Sequence, residues 1–366
     1  MSNSTNSFPL NKILEAPFDV PKWLKKLSVP ALKAQQQAFN EVKFCATDGC
    51  NETQFQWCHV IPASAQLEPF AESGKVCWIP MREHDRWTLR SWWTEDPISK
   101  TLVFRGFCNS CDSNLFAKID RPLVMDSETY LLLAFRSACY FNWRYEVDYR
   151  AAELRPGLTR KMVESDPELP RLIDGFEQLE APEIEKAKFM SDQVKVMTDS
   201  LRDAVAAKNF GLLETRVFDF KQDLPIRFSL AASIVNSLKN EHTHVSQIEC
   251  PQFPGVFLHI LDVDGTTKLI FSWLKCIPER FPNVWIEQFK KLSDSGHIAD
   301  VLLRFMFINN HGLVFKPSFV PTLNHEQSSY LTSSLAGRMY NGVEPEISRV
   351  CHPPYFDLGW KLTSVV

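Results

Sequence analysis

Two short cysteine pairs constrain this chain more than any other feature. Cys45 and Cys50 stand in KFCATDGC, and Cys108 and Cys111 stand in FRGFCNSCD. Each spacing is short enough for one tight turn to aim two thiolates at a single tetrahedral ion. The four are therefore expected to form a structural zinc site that joins two distant segments. Cys58 offers itself as an alternative fourth ligand.

The other reading of so many thiols is a disulfide framework, since the chain has 10 cysteines among 366 residues. Such frameworks belong to small secreted domains. This chain is large, and its start, MSNSTNSFPLNKILEAPF, lacks a basic region followed by a long apolar core. A cytoplasmic location is the expectation, and in a reducing compartment close cysteine pairs are metal ligands more often than bridges. Cys77, Cys139, Cys250, Cys276 and Cys351 are then expected to be buried thiols. No run approaches the roughly 20 apolar residues of a spanning helix, so no membrane segment is expected. The formal charge of -4 argues against a globally basic nucleic-acid binder but leaves room for a local patch.

Length alone suggests two or three units. An N-terminal arm and helix occupy residues 1–40, with Pro30 expected in the first turn of a helix through ALKAQQQAFNEVKF. The cysteine module takes residues 41–122. Within it KVCWIP and TLVFRGF alternate like strands, and EHDRWTLRSWWTEDPISK reads as an inserted loop or hairpin. Residues 123–212 read as helical, beginning with the almost wholly apolar ETYLLLAFRSACYFNWRYEV, which implies a buried helix interrupted at Pro156 and Gly157. Residues 213–366 read as a mixed domain with strands at ETRVFDF, PIRFSLAASIV, GVFLHILDV and TKLIFSWL, the last two joined by Asp264-Gly265 as a hairpin. Helices are expected at WIEQFKKL and HIADVLLRFMF. The fold class is thus α+β. Asp262 and Asp264 lack the further ligands of a calcium loop, and His84, His242 and His244 read as loop residues.

Chemistry is concentrated beside the cysteines. His59 follows an aromatic run and precedes Val60, Ile61 and Pro62, where a strand would end. Asp112 follows the last cysteine, in the first turn of a helix, where an acid also favours the helix dipole. Arg82, Arg86, Arg90 and Arg105, interleaved with tryptophans, are candidates for a phosphate-binding groove with stacking platforms, although Glu83, Asp85, Glu95 and Asp96 dilute their charge.

Around the first pair, the CHVIP step and FCNSCD, the chain resembles the HNH nuclease superfamily over roughly residues 40 to 122. A larger pattern, running from FC-x-x-C-D-x-x-LF through a YFNWR-like helix to a late IFSWL, resembles a group of uncharacterised bacterial HNH-like proteins associated with defence against phage. The resemblance implies a treble-clef, zinc-bound module. It further implies His59 as general base, Asp112 as ligand of a catalytic magnesium or manganese ion, and hydrolysis of nucleic-acid phosphodiesters, DNA before RNA. Many active members carry aspartate where this chain has Cys58, and a thiol is a poor magnesium ligand. Either another acid, such as Asp120 or Glu68, then completes the site, or a softer metal occupies it, or the module no longer cuts. The competing expectation is a zinc-stabilised protein that binds nucleic acid or a protein partner without catalysis.

Overall fold

A computed structural model describes residues 22–78, 94–165, 173–233, 255–308, 312–328, 330–331, 356 and 358–365. The chain is α+β. Its centre is an eight-stranded sheet whose strands, in spatial order, come from the last residues, the C-terminal third and then the cysteine region.

The core of that sheet is built from β5 (Leu213–Phe220), β6 (Ile226–Ser233), β7 (Gly255–Val263) and β8 (Thr266–Leu274). β7 and β8 form the expected hairpin, from Val256 opposite Trp273 to Val263 opposite Thr266. Asp264 and Gly265 turn it with φ of 53° and 75°, the double left-handed step that an Asp-Gly pair adopts most readily. β7 is buried at nearly every position rather than at alternate ones, which requires cover on both faces. One cover is α3 (Ser127–Ser165) with α4 (Ile173–Ala206). The other is α5 (Arg280–Asp294) with α6 (Ile298–Ile308), where Phe271 stacks on Trp285 and Phe218 meets Phe289 edge-on.

Two prolines expected to open or interrupt helices lie inside them. α1 (Lys22–Glu41) runs through Pro30, and α3 runs through Pro156. Each proline forfeits one backbone hydrogen bond, a cost of about 3 kcal/mol in an isolated helix. Packing overrides that local preference: α1 buries Ala34 and Ala38 as it packs on α3, and α3 buries Ala151 and Ala152 before its proline and Thr159 and Val163 after it. Cys77 and Cys139 are buried as expected, whereas Cys276 is exposed, because it lies just past the end of β8 where the ladder stops. Cys250, Cys351, His84, His242 and His244 lie outside the described residues.

The cysteine region is joined to the sheet. β2 (Lys75–Trp78) pairs with β3 (Thr94–Pro97) on one side and with β9 (Leu313–Phe315) on the other, and β9 pairs with β6. Gln66, 2% exposed, clasps Asp262 at the end of β7: its Nε2 donates to the Asp262 carbonyl and its Oε1 accepts from the Asp262 amide, both at 2.8 Å. The final strand, β10 (Leu362–Val365), adds to β5.

Candidate metal centre and the adjoining acid cluster

The two cysteine pairs come together as the spacing predicts. The ligand atoms of Cys45, Cys50, Cys108 and Cys111 lie within 4.8 Å of one another. Cys50 Sγ is 3.8 Å from Cys108 Sγ and 3.7 Å from Cys111 Sγ. A tetrahedron of thiolates about 2.3 Å from a zinc ion has edges of about 3.8 Å, so the donor set fits that ion by size as well as by chemistry.

Local backbone chemistry sets each turn. In the first knuckle Gly49 takes a φ of 68°, and the Cys50 amide closes a turn onto the Thr47 carbonyl. In the second, Cys108 caps α2 (Asn109–Leu115): its Sγ accepts from the Cys111 amide at 3.4 Å. The two are laced by Phe44 and Ala46 amides donating to the carbonyls of Arg105 and Gly106. Gly106 is required there, since a Cβ would sit 2.3 Å from the Phe104 ring.

His59 ends β1 (Cys58–His59), opposite Val103 of β4 (Val103–Phe104). Its Nε2 is 3.0 Å from the Ile98 carbonyl oxygen. A carbonyl only accepts, so in the neutral ring Nε2 carries the proton and Nδ1 keeps its lone pair. Burial, and to a lesser degree the Arg136 guanidinium, hold the imidazole below its ordinary pKa against the pull of the Ile98 hydrogen bond, Asp112 and Asp120. The ring is therefore neutral at pH 7. The turn that presents Ile98 ends at Leu102, a non-glycine residue at φ 51°, a conformation that costs of order 1–3 kcal/mol.

Asp112 sits in the first turn of α2, as the sequence suggests, and Asp120 follows one turn beyond that helix. Both belong to a cluster that the sequence reading missed. Arg136 of α3, 2% exposed, grips Asp120 with Nη1 to Oδ1 at 2.7 Å and Nη2 to Oδ2 at 3.0 Å, and reaches Asp112 Oδ1 from Nη2 at 3.3 Å. The remaining oxygen of Asp112 accepts from Gln56 Nε2 at 3.1 Å. Beneath the guanidinium lies the Phe116 ring, 4.2 Å away. Burial alone would lower the Arg136 pKa, but Asp120 and Asp112 more than offset it and hold the group above its ordinary value. Cys58, 1% exposed, lies against this cluster, with its thiol pushed up first by burial and then by the Asp112 charge. A lone arginine within the apolar run LLLAFRSACYF was the available signal, because a buried guanidinium demands carboxylate partners.

Of the four arginines proposed as a phosphate-binding set, Arg82, Arg86 and Arg90 lie outside the described residues. Arg105 is described, 4.3 Å over the Trp57 ring. Glu68 opens a short helical turn, and among the described residues the carboxylates that reach Arg136 are those of Asp112 and Asp120. No described helix is long and apolar enough to cross a membrane. Comparison of the whole chain with protein-family models, with curated proteins and with solved structures finds no match in any of the three.

Proposed function

We propose that this chain is a zinc-stapled, HNH-like nucleic-acid-binding protein in which Arg136 occupies the place that a hydrolytic member would give to a divalent cation. One observation carries this reading: all four carboxylate oxygens of Asp112 and Asp120 are engaged by Arg136 and Gln56. Magnesium asks for about six oxygen ligands in near-octahedral geometry. Here both candidate acids are already satisfied, the neighbouring Cys58 is a buried thiol, and a second cation would meet the guanidinium as a like charge. Nor does Arg136 replace the metal as an electrophile. At 2% exposure it cannot reach a phosphate from solvent. The zinc, held by Cys45, Cys50, Cys108 and Cys111, would staple the fold and leave no position open for catalysis.

His59 favours the second reading, metal-dependent phosphodiester hydrolysis. Its fixed tautomer and lowered pKa suit it to take a proton from water through Nδ1. In that case a magnesium or manganese ion displaces Arg136 from Asp112.

One pair of assays separates the two. Labelled DNA and RNA are titrated with the protein, and supercoiled plasmid is incubated with it in magnesium, in manganese and without metal, for wild type and His59→Ala. Binding by both proteins with no nicking by either is the expected result. Metal-dependent nicking by wild type that disappears in His59→Ala would establish the hydrolytic reading instead.

A further inference from the structure

The geometry points to a stacking site for an unpaired nucleobase on the rim of the zinc region, built from Phe39, Trp57 and Arg105. This rests on the nucleic-acid reading above and names the form of nucleic acid that it takes. Trp143, Trp273 and Trp285 are 1–2% exposed, but Trp57 is 37% exposed. Part of its indole is thus open to solvent, beside a cation.

The ring is held rigidly. Phe39 of α1 stacks on it at 5.2 Å between centroids and 29° between planes, and Trp143 of α3 meets it edge-on at 6.5 Å. Trp143 is in turn anchored by its indole N–H to the Val42 carbonyl at 2.9 Å. Arg105 then lies over the indole at 4.3 Å, positioned by Nη1 donating to the Asn40 carbonyl at 3.3 Å.

Among the described residues Arg105 has no carboxylate partner, and its Nε is a buried donor with no acceptor. An arginine placed only to decorate the surface would pair with an acid or turn its donors to water. With Nη1 on the Asn40 carbonyl and Nε buried, this one leaves its Nη2 and the guanidinium face for a ligand beside the aromatic step. A base can stack on the outer face of the guanidinium while a phosphate accepts from its edge, and both contacts are indifferent to sequence. A cationic peptide would be repelled by the same group. The bases of a duplex are stacked on each other and cannot reach the step, so the ligand is single-stranded. Lys43 adds a second cation on the same ladder, one residue before the Phe44 amide that pairs with the Arg105 carbonyl.

The test measures fluorescence anisotropy of a labelled single-stranded oligonucleotide of about 12 nucleotides, and of its duplex, at fixed salt. The proteins are wild type, Trp57→Ala, Trp57→Phe and Arg105→Gln, each with its fold checked by circular dichroism. Wild type is expected to prefer the single strand. Trp57→Ala and Arg105→Gln should weaken that binding about tenfold, and Trp57→Phe much less. Should Trp57→Ala fail to fold, Arg105→Gln, at a half-buried position, decides. Single-strand binding that none of these substitutions changes, or a wild-type preference for duplex, overturns the site while leaving the nucleic-acid reading standing. A wild type that binds neither strand overturns both.

Discussion

Arg136 and Ser137 are neighbours on α3 that hold opposite parts of the molecule. Arg136 grips Asp120 and Asp112 beside the second cysteine knuckle, while the Ser137 hydroxyl lies 2.7 Å from the hydroxyl of Ser229 in β6. One turn of one helix thus fastens the cysteine region and the central sheet to each other. Removing a single partner from a buried ion pair costs about 3–5 kcal/mol, because the others are left uncompensated. Asp112 and Asp120 keep 14% and 30% exposure, which moves the expectation to the low end. Arg136→Met should therefore lose about 3 kcal/mol in urea unfolding. Arg136→Lys should recover only part, since an ammonium cannot fork two oxygens. In the Arg136→Met background Asp120→Asn should cost much less than it does alone. Additive losses in that cycle would mean that the two residues do not act as a pair.

The four-thiol cluster predicts metal dependence of the fold. Purified protein should carry about one zinc per chain, as a closed four-thiolate site implies. Structural zinc contributes directly to folding, so a strong chelator should lower the melting temperature, and Cys108→Ser should abolish metal retention. Substituting Cys58, which lies against Asp112 rather than in the thiol tetrahedron, should leave the zinc content unchanged. Loss of zinc from Cys58→Ser would relocate the site.

How far the sequence revealed this architecture follows from what kind of signal each part carries. The four-cysteine cluster was legible because metal chemistry demands a residue type at a fixed spacing, whatever the fold. The β7–β8 hairpin was legible because Asp264-Gly265 supplies two left-handed residues between apolar runs. Helices through Pro30 and Pro156 were not, because what keeps them intact is tertiary packing on both sides of each proline. The join between β2 and β9 was not either. It brings Cys77 opposite Phe315, far away in the chain, and no local pattern encodes such a pairing. At the candidate site, His59 and Asp112 were visible as chemistry. Their surroundings, above all Arg136 and the Ile98 carbonyl, depend on distant chain segments meeting.

A buried imidazole should make the sheet acid-labile. His259 of β7, 1% exposed, shares a hydrogen bond of 2.9 Å between its Nδ1 and the Ser229 hydroxyl, and its Nε2 has no partner among the described residues. Burial pushes its pKa down to about 3 from an ordinary 6.5. The folded state therefore binds the neutral ring, and the unfolded state takes up the proton first. Stability is fully present above pH 6.5 and is lost as pH falls toward 3, by at most about 5 kcal/mol. Asp126 and Asp223 are also held below the ordinary carboxylate range, since Lys118 and Lys316 more than offset burial. Their contribution is lost only below about pH 4, so the window between pH 6 and 4.5 reports the two buried imidazoles, His259 and the likewise depressed His59. Denaturant midpoints across that window should fall for wild type and fall less steeply for His259→Gln, in which His59 still titrates. Equal slopes would show that the imidazole is not the cause.

Gly312 tests the register on which the attachment of the cysteine region depends. It precedes β9, whose Leu313 pairs with Phe228 of β6. A Cβ at Gly312 would lie 1.8 Å from the Ser229 carbonyl oxygen and 2.9 Å from its carbon. Those are backbone atoms of a strand bonded on both sides, so they cannot yield as a side-chain tip would. Gly312→Ala should force β9 away from β6 and destabilise by about 3 kcal/mol, the upper part of the range for overpacking. Strain at this point also pulls on the Ser137–Ser229–His259 chain of hydrogen bonds and on β2 beyond β9, so both halves of the fold should loosen together. Gly157 provides the control. It lies in α3 where a Cβ would meet no described atom within 4 Å, and Gly157→Ala should stabilise by about 0.5–1 kcal/mol through the unfolded state. Chemical denaturation of the two variants beside wild type gives opposite signs if β6 and β9 are paired as described, and an unaffected Gly312→Ala would require a different partner for β9.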